Sequence, residues 1–122
     1  MSDSIKLNSV TLDCRDAREL AAFYADITGG EIQFQSDMFV TLDSPGGRIA
    51  FQTVPGYTAP VWPDPTSSIQ MHLDFHVDDL DATGARVLAA GATKYEFQPN
   101  SDHCFVYADP AGHAFCLSRW AL

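Results

Sequence analysis

From Ser9 onward, apolar and polar positions alternate. Val10, Leu12 and Cys14 fall on one side and Ser9, Thr11 and Asp13 on the other. That is the period of a half-buried strand. The same pattern returns 63 positions later, with Leu73, Phe75 and Val77 on the apolar side and His72, Asp74 and His76 on the polar side. Each strand therefore has one side for a core and one side left for chemistry.

A helix is predicted after each strand. Asp16 can accept from the free N–H groups of a first helical turn, and Glu19 three residues on resembles a capping box. Leu20, Phe23, Tyr24 and Ile27 then recur at helical spacing until Gly29-Gly30 ends the run. In the second copy Asp79 caps, Leu80, Gly84, Val87 and Leu88 form the apolar stripe, and Gly91 closes. The small residue in that stripe predicts close packing on a sheet.

The remainder of each half reads as strands. Residues 31–35, 39–43 and 48–54 follow the first helix, with a turn at Ser44-Pro-Gly-Gly47; residues 93–98, 104–108 and 113–119 follow the second, with a turn at Asp109-Pro-Ala-Gly112. Both halves are thus βαβββ, and neither is large enough to bury its sheet alone. The predicted organisation is one domain over residues 1–122, with a first unit at 5–54, a second at 69–120 and a Pro-rich linker or lid at 55–68 that carries Tyr57 and Trp62.

Composition narrows the function classes. In 122 residues there are 16 acids and 7 bases, a formal charge of −9, so phosphate backbones and anionic membrane surfaces are disfavoured partners. No run of apolar residues is long enough to span a bilayer. The opening Met1-Ser-Asp-Ser-Ile-Lys lacks the basic start and apolar run of a secretory signal. With Cys14, Cys104 and Cys116 forming no C-x-x-C pair, a cytoplasmic protein with reduced thiols is expected.

The segments His72-Leu-Asp-Phe-His-Val-Asp-Asp-Leu-Asp81 and Asp109-Pro-Ala-Gly-His-Ala-Phe-Cys-Leu117, set in a duplicated βαβββ chain, resemble the vicinal oxygen chelate superfamily. Val54-Pro-Gly-Tyr57 and Trp62-Pro-Asp-Pro65 are closest to its glyoxalase-like branch. The resemblance runs from about Ile5 to Trp120. It implies an α+β fold in which the two units form an open, curled eight-stranded mixed sheet, a cup with helices on its outer face. It also implies, for the enzymes of the group, a divalent metal held by the first and last strand of each unit.

This chain departs from that ligand pattern. His72 matches, but its counterpart in the first unit is Ser9, a poor ligand for transition metals. The last-strand position of the second unit is Cys116 where many relatives have Glu. In the first unit it is Phe51, or Gln52 if a bulge shifts the register. No cofactor is therefore expected. The alternative is a Zn²⁺ site from His72, Cys116 and Gln52, whose nitrogen, sulfur and oxygen donors Zn²⁺ accepts.

The expected function is binding of a small amphipathic molecule in the cup, either as a sequestering, resistance-type protein or as a metal-independent enzyme. His72 and Asp74 are the candidate catalytic pair, because a carboxylate beside an imidazole sets its tautomer. Ser9, Thr11, Asp13 and Gln52 would supply hydrogen bonds to the ligand, Phe51 and Trp62 apolar area, and Cys116 a lining thiol. Structural roles compete at each: a core-bonded His72, an inert Cys116, a Trp62 packed on its own sheet. The alternative function is a metal-dependent lyase or dioxygenase with an atypical site or one completed by a partner subunit. A homodimer is expected from the open sheet edges.

Overall fold

The structure, a computed structural model, describes residues 7–64, 66–67 and 71–119. Trp120, expected at the end of the last strand, lies outside the described residues, as do the extreme ends of the predicted units and linker. Helices α1 (Ala17–Thr28) and α2 (Leu80–Ala90) each follow a first strand, β1 (Val10–Cys14) and β5 (Leu73–His76). Three strands follow each helix: β2 (Glu31–Gln35), β3 (Phe39–Ser44) and β4 (Gly47–Thr53), then β6 (Thr93–Lys94), β7 (Cys104–Ala108) and β8 (Ala114–Ser118). The class is α+β and the order βαβββ occurs twice. The eight strands form two four-stranded mixed sheets, ordered β1-β4-β3-β2 and β5-β8-β7-β6. The chain divides into two units between Tyr57 and Thr58.

In the first unit α1 starts where its cap allows. Asp16 is extended and its carboxylate accepts from the N–H groups of Arg18 and Glu19, which the first helical turn leaves unsatisfied. Gly29 ends the helix in the left-handed region at φ 72°. Gly30 must be glycine for a different reason: a Cβ there would lie 2.6 Å from the Asp43 carbonyl oxygen. Leu20, Ala21, Phe23 and Tyr24 bury the apolar stripe of α1 against a sheet whose core residues are Val40, Leu42, Ile49 and Phe51.

The parallel β1–β4 ladder pairs Leu12 with Phe51 and Asp13 with Gln52. Phe51 is 0% exposed and its ring stacks on Tyr24 of α1, centroids 5.6 Å apart, so it belongs to the helix side of the sheet. Gln52 instead shares the opposite side with Asp13 by simple alternation. No bulge is needed in β4; the irregularity of this sheet falls in β2, between Ile32 and Phe34.

The second unit has the same plan with a different filling. Tyr107 and Phe115 are strand neighbours whose rings stack at 5.6 Å, and Phe75 meets Phe115 edge-on at 6.1 Å. The aromatic that α1 supplies in the first unit comes here from β7. Helix α2 makes room for it: a Cβ on Gly84 would lie 2.5 Å from the Tyr107 hydroxyl. Gly84 and Val87 are buried, whereas Leu88, expected in the apolar stripe, is 45% exposed. The stripe is narrower than its spacing implied because so little of α2 touches the sheet.

The strand expected over residues 93–98 stops after Lys94. The main chain turns away, and the Gln98 side chain takes over the ladder. Its amide nitrogen donates to the carbonyls of Tyr95 (2.7 Å) and Val106 (2.9 Å), and its amide oxygen accepts from the Val106 N–H (2.9 Å). This satisfies the Val106 amide and the Tyr95 carbonyl, which the shortened strand leaves without a ladder partner, and adds a second donor to the Val106 carbonyl beside the Tyr95 N–H.

Candidate functional site

Strand β5 alternates as its sequence requires. Leu73 and Phe75 are half-buried while Asp74 and His76 are exposed, with exposed His72 just before the strand. The parallel ladder to β8 pairs Asp74 with Cys116, placing the carboxylate beside the thiol. Two residues back along β5, His72 Nε2 lies 3.3 Å from Asp74 Oδ1; the side chains are 46% and 61% exposed. A second pair, His76 Nε2 and Asp78 Oδ1, is 3.5 Å apart. Among the described residues, His72, Asp74 and Cys116 form a group whose donor atoms all lie within 4.8 Å of one another.

The electrostatics of Cys116 follow from its neighbours. Burial, then the Asp74 charge, then Cys104, push its thiol from the ordinary 9.0 up to about 12, and its S–H bonds to Asp74. The thiol is therefore held protonated at neutral pH. Nucleophilic cysteines need the opposite setting, a thiolate stabilised by a cation. The carboxylate stands between the thiol and the imidazole, so His72 is paired with Asp74. Cys104, buried and two ladder positions along, is likewise raised by burial and by the Asp74 charge.

An aromatic floor adjoins this group. Val106, Ala114 and Cys116 form a small buried cluster on the face of β7 and β8 that carries Cys116, and half-buried Trp62 and Tyr95 pack against it. Trp62 meets Tyr95 edge-on at 4.9 Å and Phe97 at 5.7 Å. A hydrogen bond joins the Trp62 backbone to the Tyr95 hydroxyl, whose pKa is raised by burial and by the Asp109 charge. The stretch around Trp62 is further tied by Val61 N–H to Ser67 Oγ and by Thr66, whose N–H and hydroxyl both donate to Asp64. Those two bonds hold the Asp64 carboxyl below its usual range.

The structure thus brings His72, Asp74 and Cys116 together, with Trp62 packed beside Cys116. In the first unit Thr11, Asp13 and Gln52 are exposed along one sheet face, and half-buried Ser9 precedes it. Phe51 is on the other side of that sheet, stacked under α1. Tyr95, Phe97, Gln98 and Cys104 were not among the expected site residues. Cys104 alone had a signal in the sequence, since it shares strand parity with Val106 and hence a face with Cys116.

A sequence model of the glyoxalase-like domain family matches residues 9–118. The chain belongs to this family. No curated protein sequence matches it significantly. Among solved structures, a fosfomycin resistance protein, FosX, from Listeria monocytogenes, complexed with Mn(II) and sulfate, is similar at a TM-score of 0.75 and 19% identity. That match covers 96% of this chain and 91% of the other. A glyoxalase/bleomycin resistance protein/dioxygenase family enzyme from Burkholderia phytofirmans matches at 0.68 and 24% identity, over 90% and 94% of the two chains. A glyoxalase-related enzyme from Fulvimarina pelagi matches at 0.69 and 20%, over 93% and 86%. At these identities the likeness establishes the fold.

The superfamily resemblance brings with it a divalent metal, and the donors found here bear on whether one fits. The third donor beside His72 and Cys116 is Asp74, from the same unit, while Gln52 lies on a strand of the first unit. One imidazole, one carboxylate and one thiol make three protein ligands of types that Zn²⁺ accepts, with a fourth position left over. For Mn²⁺, which prefers oxygen donors, the set is poorly matched. Among the described residues no helix is long and apolar enough to cross a membrane.

Proposed function

We propose that this glyoxalase-like protein binds a small amphipathic molecule on the strand face of its second unit. The observation that carries the reading is the adjacency of an exposed His72–Asp74 pair and an aromatic floor, joined through Cys116. Few polar groups beside apolar area is the usual make-up of a small-molecule site. Trp62 and Phe97 would take the flat apolar part of the ligand. His72 would meet its polar part: with Nε2–H assigned as the donor to Asp74, the Nδ1 lone pair is left to accept a proton or a hydrogen bond. Asp74 orients that imidazole. Cys116, kept protonated, lines the site and does not attack.

The same geometry serves sequestration, in which the ligand leaves unchanged, and metal-independent proton transfer at His72 Nδ1. A thermal-shift and calorimetric screen over planar aromatic antibiotics and small 2-oxo compounds tests binding. His72→Ala should abolish the ligand-induced rise in Tm while leaving the ligand-free Tm within about 1 °C, as surface substitutions usually do. A ligand shift retained in full by His72→Ala would overturn the reading.

The metal-dependent alternative, a lyase or dioxygenase, is favoured by the donor spacing of His72, Asp74 and Cys116. A metal bound there would supply a Lewis acid for vicinal oxygens of a substrate. A cytoplasmic homodimer belongs to the same proposal. Strand β2 is a sheet edge with Ile32 and Phe34 exposed, and open apolar edges favour pairing. Light scattering at micromolar concentration checks the oligomeric state.

A further inference from the structure

The metal reading can be taken further because the three donors differ in kind. His72 Nε2 and Asp74 Oδ1 are 3.3 Å apart, and the Cys116 sulfur lies within 4.8 Å of a ring nitrogen of His72 and of a carboxylate oxygen of Asp74. Around a tetrahedral zinc the nitrogen–oxygen edge is about 3.4 Å and the nitrogen–sulfur edge about 3.6 Å, given ordinary Zn–ligand lengths. The first edge is already present. The second requires at most a movement of about 1 Å by a side chain on a regular ladder, in line with ligand adjustment on metal binding.

Two of the three residues lie on paired strands and the third directly precedes one. Asp74 and Cys116 are register partners on neighbouring strands, and His72 lies two residues from Asp74 along the same strand direction. All three belong to the second unit. One carboxylate and one thiolate would neutralise a divalent cation, which suits a site with a buried sulfur.

We propose that His72, Asp74 and Cys116 form a thiophilic divalent-metal site, contained within the second unit, that takes Zn²⁺ or Co²⁺ in preference to Mn²⁺. On binding, the Cys116 proton passes to buffer and the sulfur becomes a ligand, while the His72 ring proton moves from Nε2 to Nδ1 so that the Nε2 lone pair is free to coordinate. Asp74 exchanges its S–H bond for a metal–oxygen bond, and the fourth position stays open. No oxidation or reduction is involved. Selectivity follows from the sulfur: with a carboxylate in place of Cys116, the same pocket would offer the hard donors that Mn²⁺ favours.

The test uses the full chain, stripped with chelator, and Co²⁺ as a spectroscopic probe. Binding should saturate at one Co²⁺ per chain, with a near-ultraviolet thiolate-to-cobalt charge-transfer band and visible bands of four-coordinate intensity. One equivalent of Zn²⁺ should erase both, and a hundredfold excess of Mn²⁺ should leave them. Cys116→Ser should lose the charge-transfer band, and Asp74→Asn should weaken Co²⁺ binding at least tenfold while keeping that band at saturation. His76→Ala, which removes the other exposed His–Asp pair, should change nothing. Far-UV circular dichroism verifies folding, and Asp74→Asn carries the test if Cys116→Ser does not fold. The proposal fails if binding is substoichiometric, if the band is absent or survives Cys116→Ser, if Asp74→Asn binds as wild type, or if Mn²⁺ displaces Co²⁺. Ligand binding by the thermal-shift screen is scored separately, so either reading can fall without the other.

Discussion

At Cys116 one neighbour decides the chemistry of another. The thiol is buried and accepted by Asp74, so its acidity is suppressed, whereas the same cysteine beside an unpaired imidazolium would be a reactive thiolate. Removing the Asp74 charge should therefore lower the Cys116 pKa, leaving burial as the main remaining cause of its elevation. Asp74→Asn, kept metal-free with chelator, should react faster with a small thiol reagent at pH 8.5, by roughly three- to fourfold for each unit that the pKa falls while the thiol is mostly protonated, since the thiolate fraction rises about tenfold but its nucleophilicity declines. Mass spectrometry of the Cys116 peptide follows the rate; a rate no faster than wild type would show that Asp74 does not control the thiol. The parity of residues 72–76 along a strand made His72 and Asp74 legible as neighbours. The contact of Asp74 with Cys116 was not legible, because it depends on the parallel register of two strands about forty residues apart, which alternation alone leaves undetermined.

The elements differ in how far local pattern describes them. Caps at Asp16 and Asp79 and the helices after them follow from short-range rules, and the structure has them. The strand expected over 93–98 contains alternating residues yet ends at Lys94, since a side-chain amide can replace the backbone partner and alternation does not register that exchange. Gln98→Ala would remove the partner of the Val106 amide and of the Tyr95 carbonyl, while the Val106 carbonyl keeps only the 3.3 Å bond from the Tyr95 N–H. The expected cost is about 1–3 kcal/mol of stability, with a loss of near-ultraviolet dichroism as Tyr95 and Trp62 loosen. Urea denaturation and the aromatic spectrum check the two parts. On α2, Gly84→Ala would press a methyl into the Tyr107 hydroxyl, destabilising by about 1–3 kcal/mol despite the better helix propensity of alanine. Exposed Leu88→Gln should change stability by less than about 0.5 kcal/mol, and equal effects at the two positions would contradict the packing of α2 described above.

Over the whole molecule the chain is a duplication whose halves have diverged in what they bury. The repeat was plain from the recurring strand and helix patterns, and the helix-side aromatic stack recurs in both units. In the second unit Tyr95, Cys104, Tyr107 and Cys116 all have raised pKa values, burial being the first cause in each. A group whose folded pKa is raised holds its proton more tightly when folded. Its contribution to stability is complete below the unfolded value and is lost as pH climbs toward the folded one. For Cys116 the window runs from 9.0 to about 12, and the tyrosines begin at 10.0. The second unit should thus weaken as pH climbs through this window. The buried cysteines report on each: Cys14 in the first unit, Cys104 and Cys116 in the second. Pulse thiol labelling along a urea gradient gives a midpoint for each cysteine. Between pH 8 and pH 10.5 the midpoints of Cys104 and Cys116 should fall, and in a Cys116→Ala variant that of Cys104 should fall less. A Cys104 midpoint that falls equally in wild type and in Cys116→Ala would mean that burial of the Cys116 thiol does not set the alkaline limit of the second unit.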